Sequence, residues 1–304
     1  MQTTTSLSSI RFWVLPDAMR LLRKSDSPAA MALCRRFFAG FALLNNGGLT
    51  SKQGISRSAL FATTRRMSSS ISTAEDNMAH VQNSVEKRAD EIIRGLQSKG
   101  WVVIDNFLGV DVCSNYRTEA VGYFTRNEMT ISKSTRWDLE TSSVVTYDKH
   151  NVYATQLNGG DSYYDGPRLH EYVVSVVKSL VPIVSNVFPD ACLNPVLASN
   201  KLAVCTGDGS HYDKHYDNSG GDDLRKLTVL YYLNPKWRTD MGGSFRIYES
   251  INPTVVSDSG VTRNANNESE KEIVTTDIEP IGDRLLVFWS DRLVHSVQPS
   301  EVCS

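Results

Sequence analysis

The apolar positions of this chain follow helical spacing up to about residue 189 and strand-like spacing after it. Between residues 82 and 99, apolar side chains recur every three or four positions and so share one helix face. The same spacing returns at 169–187, where Pro182 predicts a kink or a break. We predict helices over 82–99, 111–126 and 169–187, with a short strand at Trp101–Ile104 after the first of them.

After Pro189, short segments rich in β-branched and aromatic residues alternate with glycine- and proline-containing turns, which is typical of strands. The predicted strands are Lys201–Cys205, His211–Asp217, Lys226–Leu233, Ser244–Tyr248, Arg284–Trp289 and His295–Val297. The polar stretch between Glu249 and Glu279 predicts a solvated loop in a long hairpin. Residues 75–304 therefore predict one α+β domain, with helical support over 80–190 and a β-sandwich or barrel over 195–304.

Residues 1–74 differ from the rest of the chain in charge. They hold ten basic residues against two acids, Asp17 and Asp26, and are rich in Ser and Thr. This composition resembles a transit peptide and predicts a mitochondrion or another organelle; an untargeted disordered tail is the alternative. A start at Met31 would leave the apolar stretch Phe37–Leu44 as the core of a secretory signal. A start at Met67 would leave no targeting segment and would favour the cytoplasm or nucleus.

The composition of the chain limits the kinds of partner and compartment that we expect. The net charge of -2 says nothing about a nucleic-acid partner, because it hides the basic character of residues 1–74. Residues 75–304 carry no basic stripe, so we expect no nucleic-acid partner. No apolar run is long enough to span a bilayer. The five cysteines are scattered without a CxxC pair, which argues against a disulfide framework or a zinc knuckle and favours a reducing compartment. Composition does not predict the oligomeric state.

Candidate chemistry begins with two histidines and an aspartate. His215 and Asp217 lie two apart in a predicted strand, so both side chains project from one face. His295, on a distant strand, is the natural third ligand. Two imidazoles and one carboxylate bind one face of an iron(II) ion and leave the other face open. On spacing alone, His211 and Asp213 form an equivalent pair, and a solvent-facing polar pair is the alternative interpretation for them.

Several motifs, in order from about Leu96 to Pro299, carry a family resemblance. They are Gly100–Gly109 (GWVVIDNFLG), Gly207-Asp-Gly209, Tyr212, His215-Tyr-Asp-Asn218, Leu230-Tyr-Tyr-Leu-Asn234, Trp237, Gly242-Gly243, Arg246-Ile247, Asp277-Ile-Glu-Pro280, Asp283-Arg-Leu-Leu286, Phe288-Trp-Ser-Asp-Arg292, His295 and Val297-Gln-Pro299. The chain resembles the prolyl 4-hydroxylase branch of the iron(II)- and 2-oxoglutarate-dependent dioxygenases. Within that branch it is most similar to the prolyl hydroxylases that modify hypoxia-inducible factor.

The resemblance implies a double-stranded β-helix (jelly-roll) with the metal at its mouth. Its register places Asn218 after the ligating aspartate, which assigns the metal to His215, Asp217 and His295. It implies 2-oxoglutarate as the cosubstrate that is decarboxylated to succinate, ascorbate as the reductant of the iron, and a proline-containing protein or peptide as the substrate. Retention of Asp217 favours hydroxylation over halogenation, because related halogenases lack this carboxylate.

The chain departs from the family near its end. In relatives a basic residue about nine positions after the distal histidine pairs with the far carboxylate of 2-oxoglutarate, but here that position is Ser304 and the usual last strand is missing. Losing one partner of such a pair typically costs about 3–5 kcal/mol.

We interpret the chain as C-terminally truncated. Substitution by another cation is a second interpretation, and an inactive metal-retaining member is a third. The candidate cations are Lys214, Arg225, Lys226 and Arg246.

Three further residues are assigned to the cosubstrate by the same resemblance. Cys205 stands where relatives often carry a tyrosine, and a buried apolar cysteine is the alternative interpretation. Tyr232 matches a tyrosine that reaches the 2-oxoglutarate carboxylate, with ordinary strand core as its alternative. Thr228 lies on the same strand face as Tyr232.

The leading functional hypothesis is a 2-oxoglutarate- and iron-dependent dioxygenase that hydroxylates a prolyl residue of a protein or peptide. One alternative is a catalytically impaired β-helix module that binds a partner. Another is a hydroxylase of a free small molecule. The segment Trp137–Tyr153, with many Ser, Thr and Tyr residues, predicts a surface hairpin that grips a peptide.

Overall fold

The computed structural model describes residues 6–14, 73–138, 140–220, 222–251, 254–256, 262–264 and 272–301. The chain divides into one unit made of Met1–Pro16 and Asp76–Ser304 and a second made of Asp17–Glu75. Most of the predicted targeting segment lies outside the described residues, so the boundary at residue 74 and the localisation stay predictions. Among the residues that are described, no helix has the length and apolar character needed to cross a membrane.

Four α-helices precede most of the strands. They are α1 (Ala74–Lys87), α2 (Ala89–Ser98), α3 (Val110–Thr125) and α4 (Pro167–Val187), with short 3-10 helices at Gly160–Asp165, Pro189–Ala191 and Thr239–Met241. The single helix predicted over 82–99 is two helices that meet at Arg88. Of the kink or break predicted at Pro182, the break is wrong, since α4 runs through this residue. Neighbouring Leu180, Val181 and Val184 are buried, and this packing outweighs the local cost of proline.

The strands form two main sheets and a small pair. They are β1 (Ser6–Val14), β2 (Trp101–Ile104), β3 (Thr130–Asp138), β4 (Ser143–Thr155), β5 (Leu193–Cys205), β6 (Ser210–His215), β7 (Arg225–Tyr232), β8 (Phe245–Ile251), β9 (Thr254–Val256), β10 (Thr262–Asn264), β11 (Glu272–Ile278), β12 (Leu285–Trp289) and β13 (Val294–Ser300). The large sheet has the order β2-β12-β7-β1-β5-β4-β3, the second β11-β8-β13-β6, and β9 pairs with β10.

The two sheets face each other across a shared apolar interior. Cys205, Tyr232 and Phe288 of the large sheet pack in one cluster with Phe245 and Ile247 of the second sheet. Alternate residues of the same strands point the other way, into the helices. There they join a second cluster that holds Leu202, Val229, Tyr231 and Val287 together with residues of all four helices. This arrangement confirms the predicted double-stranded β-helix with helical buttressing.

The strand β1 lies between β5 and β7 and runs parallel to both, whereas the other pairings among the described strands are antiparallel. In its backbone register Arg11 stands beside Lys201 on β5 and Leu230 on β7. The hydrophobic pattern did not predict this strand. By pairing on both sides, β1 covers backbone edges of β5 and β7 that would otherwise be open.

The predicted strands after residue 200 are confirmed with shifts of a few residues at their ends. The Glu249–Glu279 stretch is a long hairpin, as predicted, but it is not all loop. Strands β8 and β11 are antiparallel partners, with Phe245 opposite Ile278 at one end and Ile251 opposite Glu272 at the other. Strands β9 and β10 form a separate antiparallel pair. The predicted surface hairpin at 137–153 lies within the longer hairpin of β3 and β4.

Asp283 ties three parts of the fold together from a buried position. Its carboxylate accepts hydrogen bonds from the backbone N–H groups of Leu108 (2.7 Å) and Gly109 (2.8 Å), just before α3. It also accepts one from the hydroxyl of Tyr231 on β7, at 2.7 Å. The side chain is only 5% exposed, so removing it leaves three donors without their acceptor.

We predict that Asp283→Ala lowers the free energy of unfolding by about 2–4 kcal/mol, because buried donors to a charged group lose their partner. Urea denaturation followed by circular dichroism measures the change. Asp240→Ala is the matched control, since Asp240 is half exposed and pairs with Arg238 at the surface. It should change stability by less than about 0.5 kcal/mol. Equal effects of the two substitutions would contradict the role given to Asp283.

Candidate metal centre

Strand pairing brings the predicted ligands together. His215 ends β6, Asp217 follows two residues later, and His295 lies on β13. The strands β6 and β13 are antiparallel, with His295 directly opposite His215. The two imidazole ring centroids are 4.4 Å apart. Residues far apart in the sequence therefore meet on one face because of this register.

The three side chains can offer one ligand atom each within a small volume. Their candidate ligand atoms all lie within 4.8 Å of one another. Asp217 Oδ1 is 3.5 Å from His215 Nε2 and 3.7 Å from His295 Nε2. Asp217 and His295 are buried, while the side chain of His215 is 32% exposed. The cluster is therefore open on one side only.

In both histidines, the contact made by Nδ1 indicates the tautomer of the ring. His215 Nδ1 lies 2.6 Å from the carbonyl oxygen of Asp213, and His295 Nδ1 lies 3.0 Å from that of Leu293. A carbonyl can only accept, so each Nδ1 carries a hydrogen, and each Nε2 is the ring atom that lies near Asp217 and could bind a metal ion.

Asp217 is oriented by a short chain of hydroxyl groups. Thr228 Oγ1 donates to Asp217 Oδ2 at 2.8 Å, and Ser290 Oγ lies 2.8 Å from the same threonine oxygen. The Asn218 N–H donates to the Ser290 carbonyl oxygen, which holds the backbone next to the aspartate. With Oδ2 engaged in this way, Oδ1 is left on the side of the histidines.

An aromatic wall closes one side of the cluster, and a cavity opens on the other. The Phe245 ring stacks on His295 with centroids 4.6 Å apart, and Phe288 approaches the same histidine at 5.1 Å. A cavity of about 980 Å³ is lined by His215 and Asp217 and by residues of the β3–β4 hairpin. An ion at this centre would have the apolar rings of Phe245 and Phe288 on one side and the cavity, with space for further ligands, on the other.

The rival pair His211 and Asp213 lies on the surface. Their side chains are 44% and 64% exposed, with His211 Nε2 at 3.5 Å from Asp213 Oδ1. Asp213 also accepts a hydrogen bond from Tyr147. Among the described residues, the His/Cys/Asp/Glu side chains that converge in metal-binding geometry are His215, Asp217 and His295. His80 and His170 each form a hydrogen bond with a backbone carbonyl oxygen, that of Leu108 and that of Gly166 respectively.

Tyr232 and Cys205 both face the interior between the sheets. Tyr232 is 2% exposed, and its hydroxyl makes no hydrogen bond within the described part of the chain. Burial raises the pKa of Tyr232, so the hydroxyl remains a donor at neutral pH. Burial also raises the pKa of the Cys205 thiol to about 12, which makes it a neutral, weakly polar neighbour. An unsatisfied buried hydroxyl is costly, so this donor could be satisfied by a polar ligand.

The four cations considered as replacements for the missing arginine have other contacts. Arg225 pairs with Asp223, Lys226 with Asp291 and Arg246 with Asp277. Lys214 lies 4.3 Å from the Tyr248 ring centroid. Ser304 lies outside the described residues.

Sequence reasoning missed four residues that shape the centre: Phe245, Ser290, Lys149 and Lys201. The available signal was strand alternation, since Lys201 lies four residues before Cys205 and so on the same face of β5. Ser290 stands inside the matching motif Phe288-Trp-Ser-Asp-Arg292, but nothing in the sequence gave it a role. Phe245 had no signal, because it reaches the centre through pairing between distant strands.

The donor set fits a divalent first-row metal ion. Two imidazole Nε2 atoms with fixed tautomers and one oriented carboxylate converge from one side, which is the pattern of a non-haem iron(II) site with open positions. The double-stranded β-helix with this triad at an open cavity defines the class of non-haem iron oxygenases.

Comparison with known proteins places the chain within that class. Residues 201–304 match the model of the 2OG-Fe(II) oxygenase superfamily, and this match supports the assignment of the chain to that superfamily. It is 30% identical over 222 residues to the hypoxia-inducible factor prolyl hydroxylase of Caenorhabditis elegans, which covers 69% of this chain and 26% of that protein. It is 38% identical over 105 residues to the human prolyl hydroxylase EGLN3, covering 34% of this chain and 35% of that protein. The chain thus spans about a quarter to a third of these relatives.

Solved structures show the same fold. A prolyl hydroxylase of Trichoplax adhaerens, in complex with a hypoxia-inducible factor peptide fragment, matches with a TM-score of 0.52 and 25% identity, covering 73% of this chain and 86% of that one. A Pseudomonas putida prolyl-4-hydroxylase matches with a TM-score of 0.50 and 18% identity, covering 71% and 94%. The second likeness supports the fold alone.

We predict that Thr228→Val weakens metal binding roughly 10- to 100-fold, because Asp217 loses the hydroxyl that orients its carboxylate. Calorimetric titration of the protein with Fe(II) under anaerobic conditions measures this affinity. The matched control is Thr275→Val on the exposed side of β11, which should bind iron as the wild type does. Unchanged iron affinity in Thr228→Val would contradict the role of Thr228 in orienting the Asp217 carboxylate.

Proposed function

We propose that the protein is an iron(II)- and 2-oxoglutarate-dependent dioxygenase that hydroxylates a prolyl residue of a protein or peptide. The observation that carries the proposal is the convergence of His215, Asp217 and His295 at the wall of an open cavity. The superfamily match and the prolyl hydroxylase relatives support the reaction type. The resemblance in the sequence motifs supports the same substrate class.

In this proposal, each residue of the centre has a separate task. His215, Asp217 and His295 hold the iron, and Thr228 with Ser290 keeps the Asp217 carboxylate turned toward it. Phe245 and Phe288 exclude water behind His295. Bound iron and 2-oxoglutarate supply the oxidising chemistry, while the protein contributes geometry and a dry wall.

The interior residues Tyr232 and Cys205 suit the role of cosubstrate contacts. The buried Tyr232 hydroxyl is protonated and makes no hydrogen bond within the described residues, so a carboxylate oxygen of 2-oxoglutarate would satisfy it. Cys205 contributes a smaller, less polar surface beside it. Thr228 contacts Asp217 instead, so we assign it to orienting the metal ligand. Ascorbate as the reductant stays a prediction.

The β3–β4 hairpin offers a surface for a substrate chain. It lines the cavity that holds the metal ligands, and exposed apolar side chains lie on it and beside the centre, including Ile131, Val144 and Tyr216. Exposed apolar groups at the rim of a polar cavity favour an extended peptide over a small polar molecule. This supports a proline-containing peptide as the substrate.

The test is oxygen transfer by the purified chain supplied with Fe(II), 2-oxoglutarate, ascorbate and a panel of proline-containing peptides. We expect succinate release coupled to a peptide mass increase of one oxygen atom. His215→Ala with Asp217→Ala should abolish both, because two of three metal ligands are lost. The matched control is His211→Ala with Asp213→Ala, which removes the exposed pair of the same spacing and should leave turnover intact.

Two results would overturn the proposal. Turnover that survives in the His215, Asp217 double variant would refute the metal assignment. A wild-type chain that binds iron and 2-oxoglutarate yet transfers no oxygen to any peptide would favour a binding module, or a small-molecule substrate if succinate is still released.

A further inference from the structure

Asn218 uses its whole side-chain amide to hold backbone groups of the residues that follow it. The residue is only 5% exposed. Its Oδ1 accepts a hydrogen bond from the N–H of Gly220 at 2.7 Å, and its Nδ2 donates to the carbonyl oxygens of Asp223 at 3.0 Å and Arg225 at 2.6 Å. Because Oδ1 lies beside an N–H group and Nδ2 beside two carbonyl oxygens, one orientation of the amide satisfies all three contacts.

The backbone groups held in this way belong to a loop at the metal cavity, which we call the 219–225 loop. Gly221 within it lies outside the described residues. Four residues of the loop line the cavity that contains the metal ligands: Ser219, Gly220, Asp223 and Arg225. Asn218 is therefore bonded to both ends of a segment that forms part of the cavity wall.

Burial of apolar side chains does little to hold this loop in place. The Arg225 guanidinium pairs with the Asp223 carboxylate, but this pair joins two residues of the loop to each other. Among the described residues of the loop, four are exposed: Ser219, Gly220, Asp222 and Leu224. Segments with few buried apolar contacts open at low cost, so the Asn218 amide contributes a large share of what keeps this wall in position.

Asn218 also joins the loop to the metal centre. It follows the ligand Asp217 directly, and its backbone N–H donates to the carbonyl oxygen of Ser290 at 2.9 Å. The hydroxyl of the same serine contacts Thr228, which donates to the Asp217 carboxylate. One residue thus connects the oriented metal ligand, through its backbone, with the cavity wall, through its side chain.

We propose that Asn218 is a positioning residue that fixes the 219–225 loop relative to Asp217, and so fixes where a substrate peptide lies relative to the metal. The inference rests on the proposed function, since the loop lines the cavity in which the prolyl residue would be hydroxylated. Asn218 acts through the loop. A substrate misplaced by about 1 Å can lose roughly 100-fold in rate, so a loosened wall lets 2-oxoglutarate be consumed without oxygen transfer to the peptide.

The test compares Asn218→Ala with the wild type, using Fe(II), 2-oxoglutarate, ascorbate and the proline-containing peptide that the wild type turns over fastest. The wild type should release one succinate for each hydroxylated peptide. Asn218→Ala should raise the peptide KM roughly 10- to 100-fold, because the wall loses three hydrogen bonds, and should release more than one succinate for each hydroxylated peptide. Its Fe(II) affinity should be unchanged, because the metal ligands and the backbone bond to Ser290 are retained.

A second variant separates the donor from the acceptor of the amide. Asn218→Asp keeps an oxygen for the N–H of Gly220 but sets the other carboxylate oxygen against the carbonyl oxygens of Asp223 and Arg225. It should therefore fail to restore either the KM or the one-to-one ratio. Full restoration by Asn218→Asp would overturn the role given to the amide donor.

The matched control is Asn234→Ala. Asn234 is 3% exposed, and its Nδ2 donates to the carbonyl oxygen of Pro280 at 2.8 Å, in a turn whose residues do not line the described metal cavity. This variant should lower the midpoint of thermal unfolding about as much as Asn218→Ala, yet keep the wild-type KM and ratio. An equal rise of the ratio in both variants would mean that Asn218 is only structural and would overturn the proposal, as would a wild-type KM and ratio in Asn218→Ala.

Amide hydrogen exchange, followed by NMR on the protein loaded with diamagnetic Zn(II), separates failure of this inference from failure of the proposed function. The N–H of Arg225 bonds to the Asp223 carboxylate and not to Asn218, so it reports on the loop itself. It should exchange at least tenfold faster in Asn218→Ala. A wild type that transfers no oxygen to any peptide would refute the proposed function. The exchange rate then decides whether Asn218 holds the wall: faster exchange in Asn218→Ala supports this role, and the wild-type rate refutes it.

Discussion

The pairing of β6 with β13 is the constraint on which the candidate centre depends. It sets His295 opposite His215, and the chain then turns so that Asp217 approaches both imidazoles. A slip of one residue in this antiparallel register would send one histidine to the opposite face of its strand. Backbone carbonyls fix both tautomers, and Thr228 fixes the carboxylate, so the ligand atoms converge before any ion arrives. Such preorganisation lowers the cost of ordering the ligands on metal binding.

The rest of the fold supports that register from both sides. Phe245 and Phe288 pack against His295 from two different sheets, which ties the metal centre to the apolar interior. On the outer face of the large sheet, Asp283 links β7 to the turn before α3. The centre thus lies between the two sheets, and in the described part of the chain the helices pack against the large sheet.

Local patterns predicted the elements well, and the resemblance predicted the ligands. Helical spacing found α3 and α4, and alternation found β5 to β8, β12 and β13, because these signals reside in neighbouring residues. Pro182 does not break α4, because the burial of the neighbouring side chains outweighs the local cost of one proline. The contacts of Thr228 with Asp217, and of Lys201 with Ser132 and Tyr212, join strands distant in sequence, so spacing could not reveal them. The same holds for β1, whose place between β5 and β7 is set by long-range pairing alone.

Anomalous diffraction at the iron edge, on crystals of the full chain grown anaerobically with Fe(II), tests the central claim most directly. The account predicts one strong peak in the cavity, ~2.1 Å from the Nε2 atoms of His215 and His295 and from the Asp217 carboxylate. It also predicts that the peak disappears in Asp217→Ala and persists in Asp213→Ala. A peak between His211 and Asp213, or none at the triad while the fold is intact, would contradict the account.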